Sequence, residues 1–151
     1  MSLRHTDLPL TWHTDCQGMD WHALRDLFDA APLGRKQPEG LAIAFQNSRY
    51  VRFVRDEHGT LVAAGRVLAD GFDCAYLCDI AVHPRLQGTG LGQAVVQQLL
   101  DEARHHQKII LYAVAGKEPF YKRFGFRRML TAMAIFQDPQ AAVARGQVEG
   151  D

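Results

Sequence analysis

The chain has 151 residues, a formal net charge of zero, 47% apolar and 23% charged residues. That length suits one compact domain rather than two, and that composition an ordinary soluble one. The charge balance argues against a protein whose main task is to neutralise nucleic-acid phosphates, because that affinity comes from accumulated Lys and Arg; a small anion held by a local nest of amides stays open.

In chain order, Leu10–Thr14 reads as a short first strand. Asp20 is a helix N-cap, and Trp21, Leu24, Leu27 and Phe28 follow at helical spacing, which predicts an amphipathic helix to about Ala30. Pro32 to Gly40 is a loop, and Leu41 to Gln46 a short apolar helix. The period then changes from about 3.6 to 2. Tyr50–Arg55 is a strand, Asp56–Gly59 a hairpin turn and Leu61–Leu68 the next strand. Cys74–Val82 is mostly apolar and therefore central in a sheet, and Pro84 stops it. A glycine-rich turn, Gln87–Gly92, leads into a helix to about residue 106, whose apolar stripe is Leu91, Val95, Val96, Leu99, Leu100 and Ala103. Ile109–Val114 is a strand. Gly116–Phe126 holds a short helix, with Pro119 in its first turn and Gly125 at its end. Arg128–Phe136 closes with a final strand.

The predicted fold class is mixed α/β (α+β): a single, mostly antiparallel sheet flanked by helices. Residues 1–137 form the domain, and 138–151 a polar, Ala-rich C-terminal tail with at most one weak helical turn. The three meander strands run antiparallel. The helical crossover makes the strand at 109–114 parallel to that at 74–82.

No apolar run approaches the roughly 18 residues of a membrane span. Met1 to His13 lacks the apolar core of a signal peptide. The expectation is a cytoplasmic protein with no membrane partner. Its three cysteines read as free thiols, since Cys74 and Cys78 on one strand stand about 13 Å apart, too far for a disulfide. No metal-ligand spacing occurs.

The informative segment is Val82-His-Pro-Arg-Leu-Gln87-Gly88-Thr89-Gly90-Leu91-Gly92. A buried strand stops, glycines let the backbone curl, and a helix begins at about Gly90. First-turn amides have no internal partner and lie at the positive end of the helix dipole, so together they bind anions. Taken alone, the glycines also fit a tight turn with close helix–sheet packing. The segment lacks the Gly-Lys-Ser/Thr ending of a P-loop. It reads Gly-x-Gly-x-Gly rather than the dinucleotide Gly-x-Gly-x-x-Gly, and the following strand carries no carboxylate for a ribose.

Gln87-x-x-Gly90-x-Gly92 matches the Gln/Arg-x-x-Gly-x-Gly/Ala signature of the GNAT superfamily of acyl-CoA-dependent N-acetyltransferases, which the chain resembles from about Leu61 to Met129. Asp79-Ile-Ala-Val-His-Pro84 is similar to that family's fourth strand, and Phe120-Tyr-Lys-Arg-Phe-Gly-Phe126 to its Phe-Tyr-x-x-x-Gly-Phe element. The resemblance implies acetyl-CoA as co-substrate and no metal. It implies that amides of Gln87, Gly88, Thr89, Gly90, Leu91 and Gly92 cradle the pyrophosphate. It further implies that main-chain groups of Ile80, Ala81 and Val82 pair with the pantetheine arm in a gap where the fourth and fifth strands splay apart. Many members dimerise, so a homodimer is compatible with it.

An amine attacking a thioester passes through an oxyanion and expels a thiolate. The reaction is helped by a neutral amine, oxyanion donors and an acid for sulfur. A phenol, with a reference pKa near 10, stays protonated at pH 7. The resemblance gives the acid's position to Tyr121 and the oxyanion donor's to the Val82 amide; packing between Phe120 and Phe124 is the competing role for Tyr121. Some relatives place a Glu base early in the fourth strand, where this chain has Tyr76. Asp79 is the nearest carboxylate, and by period 2 it faces away from Tyr76, Cys78 and Ile80 unless a bulge turns it. His83 has a suitable pKa, and an amine arriving neutral, or a water relay, needs no fixed base. His105-His106 suits a helix end as a cation. Arg85 and the basic group Lys117, Lys122, Arg123, Arg127 and Arg128 are phosphate candidates or plain solvated charge. Trp12, Trp21 and Phe28 are core, or else line an acceptor pocket.

The leading expectation is acetyl transfer to a small-molecule primary amine. Alternatives are a protein or peptide N-acetyltransferase, a non-catalytic acyl-CoA-binding regulator, and a nucleotide-dependent oxidoreductase, which the loop motif disfavours.

Overall fold

A computed structural model describes residues 2–151. They divide into two compact units, the first ending at Ile110 and the second running from Leu111 to Asp151.

The first unit holds one five-stranded sheet in the order β1-β2-β3-β4-β5. The strands are β1 (Thr11–His13), β2 (Tyr50–Arg55), β3 (Leu61–Ala69), β4 (Cys74–Val82) and β5 (Lys108–Ile110). The first four pair antiparallel, and β5 runs parallel to β4. The mixed sheet expected from the sequence is therefore present. Three helices cover it: α1 (Trp21–Ala30), α2 (Pro38–Gln46) and α3 (Leu91–Ala103).

Each helix starts where local chemistry allows. The Asp20 carboxylate accepts from the His22 and Ala23 amides at 3.0 and 3.3 Å, satisfying two first-turn donors of α1. Pro38 opens α2, several residues before the predicted apolar run, because its fixed φ suits a first turn and its missing N–H is not needed there. On one sheet face, Leu24, Leu27 and Phe28 of α1 and Leu41 and Phe45 of α2 form a buried cluster with Val51, Phe53, Leu61, Ala64 and Ala81. Phe28 is therefore a core residue, and Trp21 packs at the edge of this cluster. On the other face α3 buries Leu91, Val95, Val96, Leu99, Leu100 and Ala103, the stripe read from the sequence. Burying each larger side chain contributes on the order of 1.5–3 kcal/mol.

Gly65 marks a close approach of α3 to the sheet. A Cβ there would lie 2.7 Å from Ile80 Cδ1, 2.9 Å from Leu99 Cδ1 and 3.0 Å from Val95 Cγ1. Gly65→Val should cost about 1–3 kcal/mol of stability through overpacking, read as a lower thermal midpoint.

At the far end of α3, His106 is buried. Its Nε2 accepts the Gly71 amide at 3.0 Å, and its Nδ1 lies 2.8 Å from the Ala103 carbonyl. This arrangement needs a neutral ring that donates from Nδ1. The histidine read as a helix-end cation thus ties the β3–β4 turn to the helix.

The second unit contains α4 (Glu118–Lys122) and α5 (Pro139–Ala144). Pro119 stands in the first turn of α4, and Gly125 follows it with φ of +98°, as the sequence predicts. The Asp138 carboxylate caps α5 through the Ala141 amide at 3.0 Å, so the tail expected beyond residue 137 includes an ordered helix. Two predicted strands differ. The strand expected over 109–114 is limited to Lys108–Ile110, and Arg128–Phe136 forms no strand. Leu130, Met133 and Ile135 are almost fully exposed. A strand exists through its ladder partner, and residues 111–151 include no strand to pair with.

Candidate active site

The β3–β4 ladder changes phase at Asp79. Before it, Arg66 pairs with Cys78; after it, Ala64 pairs with Ala81, so Asp79 and Ile80 together oppose Gly65. Asp79 is the one non-glycine residue with positive φ among those described, at +57°. This is a β-bulge, with one extra residue on β4.

The bulge reverses which side chains share a face. Cys78 pairs with Arg66, whose guanidinium stacks over Phe45 of α2 at 5.7 Å. Asp79 also reaches Arg66, with Oδ2 accepting from Nε at 2.6 Å. Both therefore lie on the α1–α2 face, whereas Ile80 packs toward Val95 and Leu99 of α3 by way of Gly65. The unbulged expectation, with Asp79 opposite Cys78, is corrected by this extra residue.

The same bulge sets the main-chain directions. Near the start of β4 the Cys74 carbonyl accepts from Asp70 on the β3 side, at 3.2 Å. Past its end, the His83 amide donates to Val62 of β3 at 2.8 Å. Even-numbered residues thus face β3 before the bulge and odd-numbered ones after it. By alternation, Ile80 and Val82 turn their N–H and C=O away from β3. Pairing of β4 with β5 covers Cys74 to Tyr76 only, so on the side away from β3 the stretch Ile80–Val82 has no strand partner among the described residues.

The loop continues directly from this edge. His83 Nδ1 accepts the Arg85 amide at 3.3 Å and caps a single 3-10 turn over Pro84–Leu86. The Gln87 side chain reaches back to the Val82 carbonyl at 3.3 Å, and its amide closes the turn on the Pro84 carbonyl, also at 3.3 Å. Thr89 is buried, with Oγ1 donating to the Leu86 carbonyl at 2.6 Å and standing 3.4 Å from the Leu91 amide. Gly88 and Gly90 have φ of +81° and +84°, a region glycine enters at no steric cost. Gly90 is the N-cap of α3 without any side-chain cap. The amides of Gly88, Thr89, Gly90 and Gly92 have no hydrogen-bond partner among the described residues. These are orphan donors at the positive end of a 13-residue helix. Against them lies His5, whose amide donates to the Thr89 carbonyl at 3.0 Å.

Other candidates are otherwise engaged or solvated. Arg85 forms an ion pair with Asp56 of the β2–β3 hairpin. Lys117, Lys122, Arg123, Arg127 and Arg128 are exposed, and Arg123 lies over the Phe120 ring at 5.3 Å. No His, Cys, Asp and Glu cluster able to hold a metal ion occurs among the described residues.

Within the second unit, Tyr121 of α4 packs edge-on against Phe120 and Phe126, with ring centroids 4.9 and 6.2 Å away. Burial pushes its phenol above its ordinary pKa. Cys16, Cys74 and Cys78 are free thiols. Burial, the largest influence, pushes the Cys78 thiol up to about 12 despite the nearby Arg66 cation.

The sequence reading missed Arg66. A lone arginine in a strand carries no local signal, because its role depends on a partner from the next strand.

Known proteins share both the sequence pattern and the fold of this chain. Residues 21–126 match the model of the acetyltransferase (GNAT) family. The chain is 34% identical over 131 residues to serotonin N-acetyltransferase 2, chloroplastic, of Oryza sativa subsp. japonica, with 82% of this chain and 66% of that one covered. The chain thus spans just under two thirds of that relative. A GNAT-family acetyltransferase of Streptococcus pneumoniae TIGR4 has the same fold, with a TM-score of 0.71, 20% identity, and 85% and 99% of the two chains covered. So does the ribosomal-protein-S18-alanine N-acetyltransferase of Escherichia coli, with a TM-score of 0.68, 21% identity, and 80% and 79% covered.

Proposed function

Because the chain belongs to the acetyltransferase (GNAT) family, we propose that it moves an acetyl group from acetyl-CoA to the primary amine of a small molecule, by direct attack within a ternary complex. The observation that carries this reading is the continuity between the β4 edge at Ile80–Val82 and the amides of Gly88, Thr89, Gly90 and Gly92, both without partners among the described residues. A pantetheine arm is a chain of amides that can add to a strand edge. A pyrophosphate is an anion suited to a helix N-terminus. The two lie in the order that CoA itself presents.

In this reading the amides of Gly88, Thr89, Gly90 and Gly92 hold the pyrophosphate. Main-chain groups of Ile80 and Val82 align the arm, and the Val82 amide donates to the developing oxyanion. Tyr121 protonates the departing sulfur, a task that suits a phenol kept neutral by burial. Asp79 already holds the Arg66 guanidinium, so amine deprotonation is assigned to solvent or to an amine that binds neutral. Direct attack is supported by the half-buried Cys78, which is a thiol rather than a thiolate at neutral pH and hence a poor acyl acceptor. Cys78→Ala should keep kcat within about threefold, whereas loss of most turnover would favour an acyl-cysteine route. The name of the rice relative, which specifies serotonin, supports a small amine as acceptor.

The decisive assay follows thiol release from acetyl-CoA against arylalkylamines, polyamines, amino acids, aminoglycosides and peptides. Release with a small amine is expected. Release with peptides alone would move the acceptor class to proteins. No release, despite a raised melting temperature with acetyl-CoA, would indicate a regulator rather than an enzyme.

A further inference from the structure

The bulge that turns Ile80 and Val82 outward depends on a residue in a conformation it does not favour. A non-glycine residue at positive φ is uncommon, although Asp tolerates it better than most. Such strain persists where surrounding contacts over-determine it. At Asp79, φ of +57° coincides with the 2.6 Å ion pair to Arg66.

Arg66 is itself fixed from several sides. Its Nη1 donates to Ser48 Oγ at 3.3 Å, just past the end of α2, and its guanidinium lies over the Phe45 ring at 5.7 Å. The Arg66 and Asp79 side chains are only 15% and 18% exposed, so the pair is less screened than an ordinary surface pair and its loss would leave a poorly solvated charge. Opposite the bulge, Gly65 has no Cβ to meet Ile80, so Ile80 can turn to α3 while Asp79 turns to Arg66.

We propose that Arg66 is a positioning residue: by clamping Asp79 in its left-handed conformation, it holds the β4 bulge that presents the Ile80 and Val82 main chain to the acyl-CoA arm. The proposal rests on the acetyl-CoA reading for the identity of the arm, but the bulge and the clamp do not. Asp79 then acts through geometry, without accepting a proton. Glycine at position 79 should replace the clamp, because it enters the left-handed region without strain and leaves no carboxylate to pair.

The test is a rescue experiment on the full chain. Arg66→Met should lower kcat/KM for acetyl-CoA by about 30-fold, with KM for the amine little changed. The double variant Arg66→Met/Asp79→Gly should recover to within about threefold of wild type, since the strain is removed. Backbone 13C shifts at residue 79 report φ without any turnover. They should lose their left-handed signature in Arg66→Met and regain it in the double variant. A folded Arg66→Met protein with unchanged kinetics and shifts would overturn the clamp. A double variant with the left-handed signature restored but kcat/KM for acetyl-CoA still depressed would overturn it too, making the Asp79 carboxylate itself the needed group. If wild type releases no thiol from acetyl-CoA, the functional reading fails, and the shifts still decide whether Arg66 sets the bulge.

Discussion

Tyr121→Phe should lower kcat by roughly 10²-fold while leaving acetyl-CoA affinity unchanged. The substitution removes one oxygen and keeps the ring that packs against Phe120 and Phe126, so stability should change little. The pH profile supplies a second check. The acid must be protonated to act, and burial moves its titration upward. Wild-type kcat should therefore hold through neutral pH and fall only as pH rises through a value above about 10, the ordinary phenol range. In Tyr121→Phe that alkaline limb should disappear along with most of the rate. Undiminished turnover at saturating amine would take Tyr121 out of the chemistry.

The second large effect is expected at the loop. Gly90 has φ of +84° and caps α3, so a β-branched side chain there is strained wherever it points. Relief requires leaving the left-handed region, and that rotates the amides of Gly90 and Leu91 away from their present direction. Gly90→Val should weaken acetyl-CoA binding by roughly 10- to 100-fold, the equivalent of the backbone strain it introduces. Titration calorimetry reads this directly. Gly59→Val is the control: Gly59 has φ of +78° in the Asp56–Gly59 hairpin turn, with no neighbour within 4 Å of a new Cβ. It should lose comparable stability with no change in affinity. Equal loss of binding in both variants would mean that the effect comes from stability and not from the nest.

Much of this arrangement was legible because it is local. Asp20 followed by Trp21, Leu24, Leu27 and Phe28 specifies a capped amphipathic helix without reference to the rest of the chain. The apolar run from Cys74 to Val82 announces a central strand. The glycines at 88 and 90 stand where φ is positive. What could not be read is pairwise and non-local. Period-2 counting set Asp79 opposite Ile80, as found, but also opposite Cys78, where only the bulge decides; a bulge is a relation between two strands and shows in neither alone. Arg66 drew no attention because its meaning lies in Asp79, thirteen positions later. His106 resembled a helix-end cation until the Gly71 amide proved to donate to it. Residues 128–136 have the composition of a strand, yet they meet no ladder.

Residue order alone therefore settled the helices, the meander strands and the turn that curls through glycines 88 and 90, because backbone sterics and side-chain periodicity act over a few neighbouring residues. The family was legible through its two motifs, Gln87–Gly92 and Phe120–Phe126. Tertiary structure decided which way the Ile80 and Val82 amides point, where β5 ceases to pair with β4, and what Asp79 touches. Those outcomes follow from hydrogen-bond phase between strands, and a single extra residue in one strand inverts that phase for everything after it.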